Sequence, residues 1–337
     1  MHKANRKIWL LLDSKGPGGI ESHVYQLATG LHRHQQDVEV VFLAERGPHP
    51  LRSALRRHGV PTRTLDGRLR TLHRRLRHAR PAIVHTHGYK AGLYGRLAAR
   101  VLGIPSFSTF HAGETLRGRM ALYDWLDRNS AGLASRVFAV SPQIAARLPV
   151  PALVTDNFIE TDGLPLSAGQ QIAFVGRLSH EKAPDRFIRL AACHPQQQFH
   201  IYGDGPMSST LQLQAPPNVQ FLGSQDSMDK LWPDIGLLVM PSRHEGLPLA
   251  AIEAMARGIP VLASRVGALG SLVQEGINGW LVDSGDDAGL SGHLAEWLAQ
   301  DEPGREAMRI SAAQQVLKRF SAQVVIPRML EAYWSAA

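Results

Sequence analysis

The segment HEGLPLAAIEA, residues 244–254, carries two carboxylates, Glu245 and Glu253, eight positions apart. The apolar run GLLVMPS before it predicts a buried strand, and Pro248 suits the first turn of a helix, where its missing N–H costs nothing. Gly258 can end that helix before the next apolar run, IPVLAS. We therefore expect Glu245 in the loop above the carboxyl end of a strand, and Glu253 about a turn and a half into the helix.

The start of this helix is a candidate binding site. Its free backbone N–H groups lie between the two carboxylates and suit an anion such as a diphosphate. Carboxylates bind phosphate poorly, but they accept hydrogen bonds from pairs of hydroxyl groups. A ligand with a central diphosphate and a diol-bearing ring at each end fits both features. A sugar nucleotide has this form, with the hexose at one acid and the ribose at the other.

Short apolar runs alternate with amphipathic segments of helical length along the whole chain. This alternation predicts βα units and parallel sheets that are buried on both faces. The predicted strands are residues 8–13, 37–44, 82–88, 106–112, 136–141, 172–178, 198–206, 219–223, 236–242 and 259–264. Doubly wound domains of this kind bind ligands at the carboxyl ends of their strands.

The length of 337 residues fits two domains. The stretch ETDGLPLSAGQ, residues 160–170, has no periodicity, and the strand–helix alternation restarts after it. The sequence thus predicts an N-terminal domain over 1–165 and a second domain over 166–320. Residues 321–337 are expected to form a C-terminal helix that packs back toward the N-terminal domain.

Composition excludes several classes of protein. The chain is 44% hydrophobic and 20% charged, which is typical of a folded protein rather than a disordered one. Its one cysteine, Cys193, rules out an intrachain disulfide, and no zinc-type spacing of Cys and His is present. The first apolar run, Ile8–Leu12, is too short for a signal peptide or a membrane span. We expect a cytoplasmic protein.

The charge is distributed unevenly. Residues 1–165 hold 24 Lys and Arg against 12 Asp and Glu, and residues 166–337 hold 13 against 17, so the halves carry +12 and −4. A basic half indicates an anionic partner: nucleic acid, a membrane surface or a phosphorylated acceptor. The Arg-rich segment 67–81 has Leu69, Leu72 and Leu76 on one helical face. This pattern fits a solvated helix and a docking surface equally well. Such a surface would bind either an anionic membrane, at the inner face of the cytoplasmic membrane, or a glycolipid acceptor.

Five motifs together resemble a known family. They are GGIESHV (18–24), FVGRLSHEK (174–182), IYGDGP (201–206), E-G-x-P-x(4)-E (245–253) and INGWLV (277–282). The chain is similar over nearly its whole length to the retaining GT-B glycosyltransferases of family 4. The resemblance implies a GT-B fold, an α/β architecture of two doubly wound, Rossmann-like domains that face each other across a deep cleft.

The resemblance also implies roles for residues of the second domain. Glu245 would hold hydroxyls of the donor sugar, Glu253 the nucleotide ribose, and Arg177 and Lys182 the donor diphosphate. Fixed cations there would stabilise the leaving group as a metal ion does elsewhere. No DxD motif stands at a strand end, so no metal and no other cofactor is predicted. The remaining donor-binding candidates are Gly203 and Phe221 near the base, and Gly246, Leu247, Pro248 and Leu249 between the two acids.

In the first domain the resemblance points to loops after strands. Gly18 and Gly19 would line the cleft near the transferred sugar, with Gly19 also on the acceptor side. His111 is expected to contact the donor sugar and to support catalysis. In HTHG (85–88), His87 is expected on the acceptor side and His85 on the opposite face of its strand. Because no third ligand lies nearby in sequence, this histidine pair does not indicate zinc.

Two positions depart from the family pattern. Ala183 stands where the family often has glycine, and GALGSLV (267–273) has Gly270 and Ser271 where Pro-Glu is common. The second change removes an acid from near the donor loop, which bears on donor preference.

The predicted function is metal-independent transfer of a hexose, with retention, from a nucleotide sugar. A UDP-sugar is the favoured donor, and the acceptor is expected to be a hydroxyl of an anionic cell-envelope glycan or glycolipid such as lipopolysaccharide core. A sugar-nucleotide epimerase on the same fold is an alternative. A nucleic-acid-binding protein is disfavoured, because the basic charge is not interleaved with aromatic residues.

Overall fold

The computed structural model describes residues 6–14, 16, 18–45, 47, 49–111, 119–225 and 227–335. The chain divides into two compact units: residues 1–160 with 322–337 form unit 1, and residues 161–321 form unit 2. Each unit is a parallel sheet flanked by helices. The predicted α/β class with two doubly wound domains is therefore confirmed.

Unit 1 contains a parallel sheet with the strand order β3-β2-β1-β4-β5-β6-β7. Its strands are β1 (Ile8–Leu12), β2 (Val38–Phe42), β3 (Thr62–Thr64), β4 (Ile83–His87), β5 (Ser106–Phe110), β6 (Arg136–Ala139) and β7 (Leu153–Val154). Its first helices are α1 (Gly19–Arg33), α2 (Pro50–Arg57), α3 (Leu69–Ala79), α4 (Tyr89–Leu102), α5 (Arg119–Asn129) and α6 (Pro142–Ala145).

The sheet of unit 1 is covered on both faces. Along β1, Ile8, Leu10 and Leu12 join one apolar cluster, and Trp9 and Leu11 join another. Because successive side chains of a strand point to opposite faces, each face of the sheet has its own core. A continuous apolar run such as IWLLL is what a strand buried in this way requires.

Unit 2 contains a second parallel sheet, with the order β10-β9-β8-β11-β12-β13. Its strands are β8 (Gln171–Val175), β9 (Phe199–Tyr202), β10 (Val219–Gly223), β11 (Ile235–Met240), β12 (Val261–Ser264) and β13 (Gly279–Val282). Its helices are α7 (Pro184–Cys193), α8 (Ser208–Gln214), α9 (Leu249–Ala256), α10 (Leu269–Leu272), α11 (Asp287–Ala299) and α12 (Glu302–Arg319).

The last helix, α13 (Ala322–Trp334), belongs to unit 1. Its residues Val325, Ile326, Met329 and Tyr333 are buried in the same apolar cluster as α1. The chain therefore leaves unit 1 after Glu160 and returns to it for this helix. None of the helices in the described chain combines the length and the apolar character that crossing a bilayer requires.

Both sheets have a topological switch point, the place where the strand order reverses. In unit 1 it lies between β1 and β4, and in unit 2 between β8 and β11. Loops that follow these strands meet at the carboxyl edge of the sheet, which is where open α/β sheets bind ligands. Most of the motif residues found in the sequence follow one of these four strands.

Candidate functional site

Two loops meet at the switch point of unit 2. One follows β8 and contains Arg177 and Lys182, and the other follows β11 and contains Glu245. Because β8 and β11 are hydrogen-bonded neighbours, residues 63 positions apart in sequence become adjacent. The two loops that carry the FVGRLSHEK and E-G-x-P motifs therefore lie in contact with each other.

Backbone and side-chain contacts tie these loops together. The backbone N–H groups of Arg243 and His244 donate to the carbonyl oxygen of Glu181, at 2.8 and 3.2 Å. The guanidinium of Arg243 binds both carboxylate oxygens of Asp185, at 2.8 and 2.7 Å. These bonds lower the pKa of Asp185 to about 2. Arg243 thus holds the two motif loops together, a role that no motif in the sequence indicated.

Lys182 and Glu245 form an ion pair at the centre of this arrangement. The ammonium of Lys182 donates to both carboxylate oxygens of Glu245, at 2.8 and 2.7 Å, and the hydroxyl of Ser242 donates to one of them at 2.8 Å. The side chain of Glu245 is only 5% exposed. Its carboxylate is thus fixed in position, with a cation beside it.

Glu253 lies on α9, as expected, and its carboxyl group is buried. Burial raises its pKa to about 7, although nearby Arg257 and a hydrogen bond from Trp232 act in the opposite direction. Pro248 is the N-cap residue, just outside the first turn of α9, and no side chain caps this helix start. The N–H of Ala251 donates to the carbonyl oxygen of Pro248 at 3.2 Å, whereas those of Leu249 and Ala250 make no hydrogen bond within the described residues. These two N–H groups are therefore available for an anion.

The other donor-side candidates occupy the same edge of the sheet. Gly203 follows β9, and a Cβ there would lie 1.9 Å from the carbonyl oxygen of Gly176. Phe221 is half-buried on β10. The segment from Gly246 to Leu249 connects the Glu245 loop to α9, and Leu247 and Leu249 are buried. Arg177 is exposed at the end of β8.

Gly267 supports this site and was missed in the sequence. Its φ is +59°, and a Cβ there would lie 2.3 Å from the carbonyl oxygen of Glu245. The next residue, Ala268, donates its N–H to the carbonyl oxygen of Gly246 at 2.8 Å. The loop that carries Glu245 therefore rests directly on the start of the GALGSLV segment, where only glycine fits.

The two departures from the family pattern have local explanations. Ala183 has a φ of +53° and is fully buried, so it adopts the left-handed conformation that glycine adopts without strain. Ser271 lies on α10, and its hydroxyl group donates a hydrogen bond to the carbonyl oxygen of Ala268.

In unit 1, three histidines meet at the carboxyl edge of the sheet. His87 ends β4, His111 follows β5, and His23 lies on α1. Nδ1 of His87 and Nε2 of His111 are 3.2 Å apart, and one ligand atom from each ring lies within 4.8 Å of the others. Burial and the neighbouring rings lower the pKa of His87 and His111, and burial lowers that of His23 to about 4. All three rings are therefore neutral near pH 7.

The expectation that His85 faces away from His87 is wrong. The two rings lie on the same face of β4, with centroids 4.3 Å apart. Successive side chains of a strand point to opposite faces of the sheet, so side chains two positions apart, such as those of His85 and His87, point to the same face. His85 is fully hydrogen-bonded, at 2.5 Å to the hydroxyl of Tyr333 and at 2.7 Å to that of Thr109, and it anchors α13 to the sheet.

A shallow, open depression lies beside His111 in unit 1. It lies at the carboxyl ends of β4, β5 and β6, and its lining includes Tyr89, Asp124, Arg128 and Arg147. Asp127 also lines it, and the two acids are paired with arginines, Asp124 with Arg128 and Asp127 with Arg96. Together with Tyr89 and Arg147, these groups suit a hydroxylated ligand that carries negative charge.

The glycine pair of unit 1 lies at the start of α1. Gly18 and Gly19 are exposed, and a Cβ on Gly19 would meet no atom within 4 Å. Glu21 lies next to them, and burial raises the pKa of its carboxyl group. This acid in the GGIESHV motif was not singled out from the sequence.

Comparison with protein families covers most of the chain. The family model described as "Glycosyltransferase Family 4" matches residues 17–149, and the model described as "Glycosyl transferases group 1" matches residues 164–315. The two matches fall one in each half of the chain.

A curated relative agrees with these matches. The chain is 32% identical over 270 residues to a D-inositol 3-phosphate glycosyltransferase of Mycolicibacterium vanbaalenii. The matched region covers 65% of this chain and 60% of that relative.

Two solved structures have a similar fold. Anabaena Alr3699/HepE in complex with UDP and glucose superposes with a TM-score of 0.86 at 19% identity, covering 98% of this chain and all of that one. The lipopolysaccharide outer core galactosyltransferase WaaB superposes with a TM-score of 0.71 at 19% identity, with the same coverage. Together with the family models, these similarities show that the chain belongs to the GT-B glycosyltransferases of family 4.

Proposed function

We propose that this protein transfers a hexose from a nucleotide sugar, with UDP as the favoured nucleotide, to a hydroxyl group of an acceptor. The observation that carries this proposal is the arrangement of Lys182, Glu245 and Glu253 around the uncapped start of α9. Two carboxylates and one cation flank an anion site there, which matches the order of groups in a sugar nucleotide. The UDP and glucose present in the complex of the similar Anabaena protein support the same donor class.

The donor would bind with its diphosphate at the N–H groups of α9. Glu253 would accept hydrogen bonds from the ribose hydroxyls, and Glu245 from hydroxyls of the hexose. Lys182 can donate three hydrogen bonds, so it can reach a phosphate oxygen while it stays paired with Glu245. Arg177, which is exposed at the end of β8, would add a second positive charge.

The reaction breaks the bond between the anomeric carbon and the oxygen of the distal phosphate. The acceptor oxygen forms a new bond to the same carbon, and its proton passes to the departing phosphate oxygen. Negative charge grows on the diphosphate during this step, and the fixed cations and helix N–H groups stabilise it. We propose that no metal is required for this role, and that attack occurs on the same face as departure, so that the anomeric configuration is retained.

We propose an acceptor that is a polyol bearing negative charge. The depression beside His111 supports this, because Arg128 and Arg147 line it together with groups that bind hydroxyls. Two similar proteins, the D-inositol 3-phosphate glycosyltransferase and the galactosyltransferase WaaB, are named for inositol 3-phosphate and for lipopolysaccharide outer core. The lipopolysaccharide core remains the acceptor that we favour, because the basic half of the sequence suits a large anionic glycolipid.

The Arg-rich helix α3 supports peripheral contact with an anionic membrane. Leu72 and Leu76 are fully buried, whereas Arg70, Arg74 and Arg77 are exposed. A surface helix that is simply solvated has the same pattern. Sedimentation with vesicles of phosphatidylglycerol, compared with vesicles of phosphatidylcholine, separates these two interpretations.

A turnover assay with Lys182→Gln tests the proposed function. UDP-glucose and UDP-galactose are incubated with inositol 3-phosphate or with deacylated lipopolysaccharide core in the presence of EDTA, and release of UDP is measured. The wild type is expected to release UDP only with an acceptor, and Lys182→Gln to lower kcat by a factor of about 100 to 1,000, the usual effect of losing one transition-state donor.

Lys230→Gln is the matched control, since Lys230 is an exposed lysine of the same unit. It is expected to retain full activity. Unchanged kcat in Lys182→Gln, or complete dependence of the wild type on added metal, would contradict the proposed mechanism. Scrambling of the donor's hydroxyl configuration without an acceptor would instead indicate an epimerase.

A further inference from the structure

The three histidines at the edge of the unit 1 sheet have a common geometry that the proposed transfer reaction does not explain. They come from α1, from the end of β4 and from the position after β5. Their ring centroids are 4.6 Å apart for His23 and His111, and 5.5 Å apart for the other two pairs. Neighbours along the chain supply no third ligand to the pair His85 and His87, whereas the fold brings His23 and His111 to His87.

Two of these rings have a buried nitrogen without a partner. Nε2 of His23 and Nε2 of His87 make no hydrogen bond within the described part of the chain, and the two side chains are 1% and 0% exposed. A buried polar atom without a partner is uncommon in folded proteins, and a bound ion or water is one of its ordinary explanations. Two of them in a single cluster of three residues point to a ligand.

The other nitrogen of His23 has the kind of partner that a metal-binding histidine needs. Its Nδ1 lies 2.9 Å from Oδ1 of Asn157, so that this nitrogen carries the proton and Nε2 keeps its lone pair. Histidines that bind metals almost always donate their second N–H to an oxygen in this way. Asn157 thus fixes both the tautomer and the orientation of the ring.

The distances suit a small transition-metal ion. Zinc binds imidazole nitrogens at about 2.0 to 2.1 Å, which places two tetrahedral ligands roughly 3.3 Å apart. One ligand atom from each of the three rings lies within 4.8 Å of the other two. Binding of an ion requires these atoms to come closer through a change of side-chain torsion angles.

We propose that His23, His87 and His111 form a binding site for one divalent transition-metal ion of the Zn²⁺ class. The described residues supply three ligands, which leaves a fourth position for water or another small ligand. All three ligands belong to unit 1, whereas Lys182 belongs to unit 2. Because His111 is also expected to contact the donor sugar, bound metal should inhibit transfer, a consequence that rests on the proposed function.

Cobalt absorption spectroscopy tests the binding site without an activity measurement. Untagged protein carrying Cys193→Ser, which removes the exposed thiol, is titrated with Co²⁺. We expect one Co²⁺ per chain, the strong visible absorption of a four-coordinate ion, and displacement by one equivalent of Zn²⁺. His23→Gln should lose this absorption. His78→Gln, the same substitution at an exposed histidine of unit 1, should keep it.

Asn157→Ala provides a second test that leaves all three ligands in place. It is expected to weaken Co²⁺ binding by a factor of about 10 to 100 while the shape of the absorption band is kept. This variant decides the matter if His23→Gln does not fold, as judged by circular dichroism. The proposal is overturned if the wild type gives only the weak spectrum of hydrated Co²⁺, or if His23→Gln or Asn157→Ala binds Co²⁺ as tightly as the wild type.

Discussion

Replacing Glu253 by glutamine is expected to stabilise unit 2 at alkaline pH. Burial raises the pKa of this carboxyl group from 4.5 to about 7. Below pH 4.5 the group is protonated in both the folded and the unfolded chain, and it has no effect on stability. Between pH 4.5 and 7 the folded chain keeps a proton that the unfolded chain has lost, so stability falls as the pH rises. Above pH 7 the full cost of the buried charge is present.

The size of this effect follows from the shift. A difference of about 2.5 pKa units corresponds to about 3 kcal/mol at high pH, of which less than about 1 kcal/mol is already present at pH 5. Glutamine carries no charge at either pH. The free energy of unfolding of Glu253→Gln, relative to the wild type, should therefore increase by about 2 to 3 kcal/mol between pH 5 and pH 8.

Urea unfolding at the two pH values gives this difference, with hydrogen exchange of peptides from residues 161–321 to isolate unit 2. Comparing each variant with the wild type at the same pH cancels the contributions of all other groups. Glu296→Gln, at a glutamate whose side chain is 60% exposed, is the control and should show no comparable change. A difference that stays within about 0.5 kcal/mol from pH 5 to pH 8 would refute the assignment of a buried, ionisable Glu253.

The same variant should bind nucleotide more weakly. A hydrogen bond to a charged group contributes about 1 to 2 kcal/mol more than one between neutral groups, so at pH 8 the loss of charge should weaken UDP binding roughly 5- to 30-fold. Unit 2 of Glu253→Gln would then be more stable than that of the wild type but would bind UDP more weakly. Such a trade-off between stability and binding is common where a charge is buried to bind a ligand. A gain in stability with unchanged UDP affinity would show that Glu253 is not a ligand of the ribose.

Two further substitutions test the framework of the sites. Arg96 is 1% exposed and donates to Asp127 at 2.6 Å, so Arg96→Met should lower the free energy of unfolding of unit 1 by about 3 to 5 kcal/mol, because it leaves a buried carboxylate without a partner. Denaturant unfolding measures this, and a loss below about 1 kcal/mol would contradict it. Gly267→Ala should displace the backbone of Glu245 and cost about 1 to 3 kcal/mol of stability together with donor affinity. Gly270→Ala is its control, since a Cβ there meets no atom within 4 Å, and equal effects of the two alanines on UDP titrations would refute the role of Gly267.

Much of the fold was predictable because its strands are buried on both faces. Runs such as IWLLL and GLLVMPS can only be placed inside a parallel sheet, and all ten predicted strands are present. The strands β3, β7 and β13 were missed. All three lie at sheet edges. No apolar run marks β3, with the polar sequence TRT, or β7, with two exposed residues. The strand β13 is the buried run GWLV, which was recognised as part of a motif but not as a strand.

The candidate sites were less predictable, because their contacts join distant parts of the chain. Spacing alone puts Glu245 and Glu253 on either side of a helix start. It cannot reveal that Lys182 pairs with Glu245, since that depends on β8 and β11 being neighbours. The histidine cluster likewise depends on strand order. Its residues follow or end β1, β4 and β5, which are adjacent in the sheet but distant in sequence. Burial, which sets the pKa of Glu253, is likewise a property of the folded unit.

The measurement that tests the central claim most directly is a calorimetric titration of the wild type and of Glu253→Ala with UDP, GDP and ADP, in EDTA. The account predicts that the wild type binds UDP in preference to the other two without any metal, and that Glu253→Ala loses this binding by at least about tenfold. Glu296→Ala should bind UDP like the wild type. If none of the nucleotides binds, or if Glu253→Ala binds UDP as tightly as the wild type, the donor site does not lie at the start of α9.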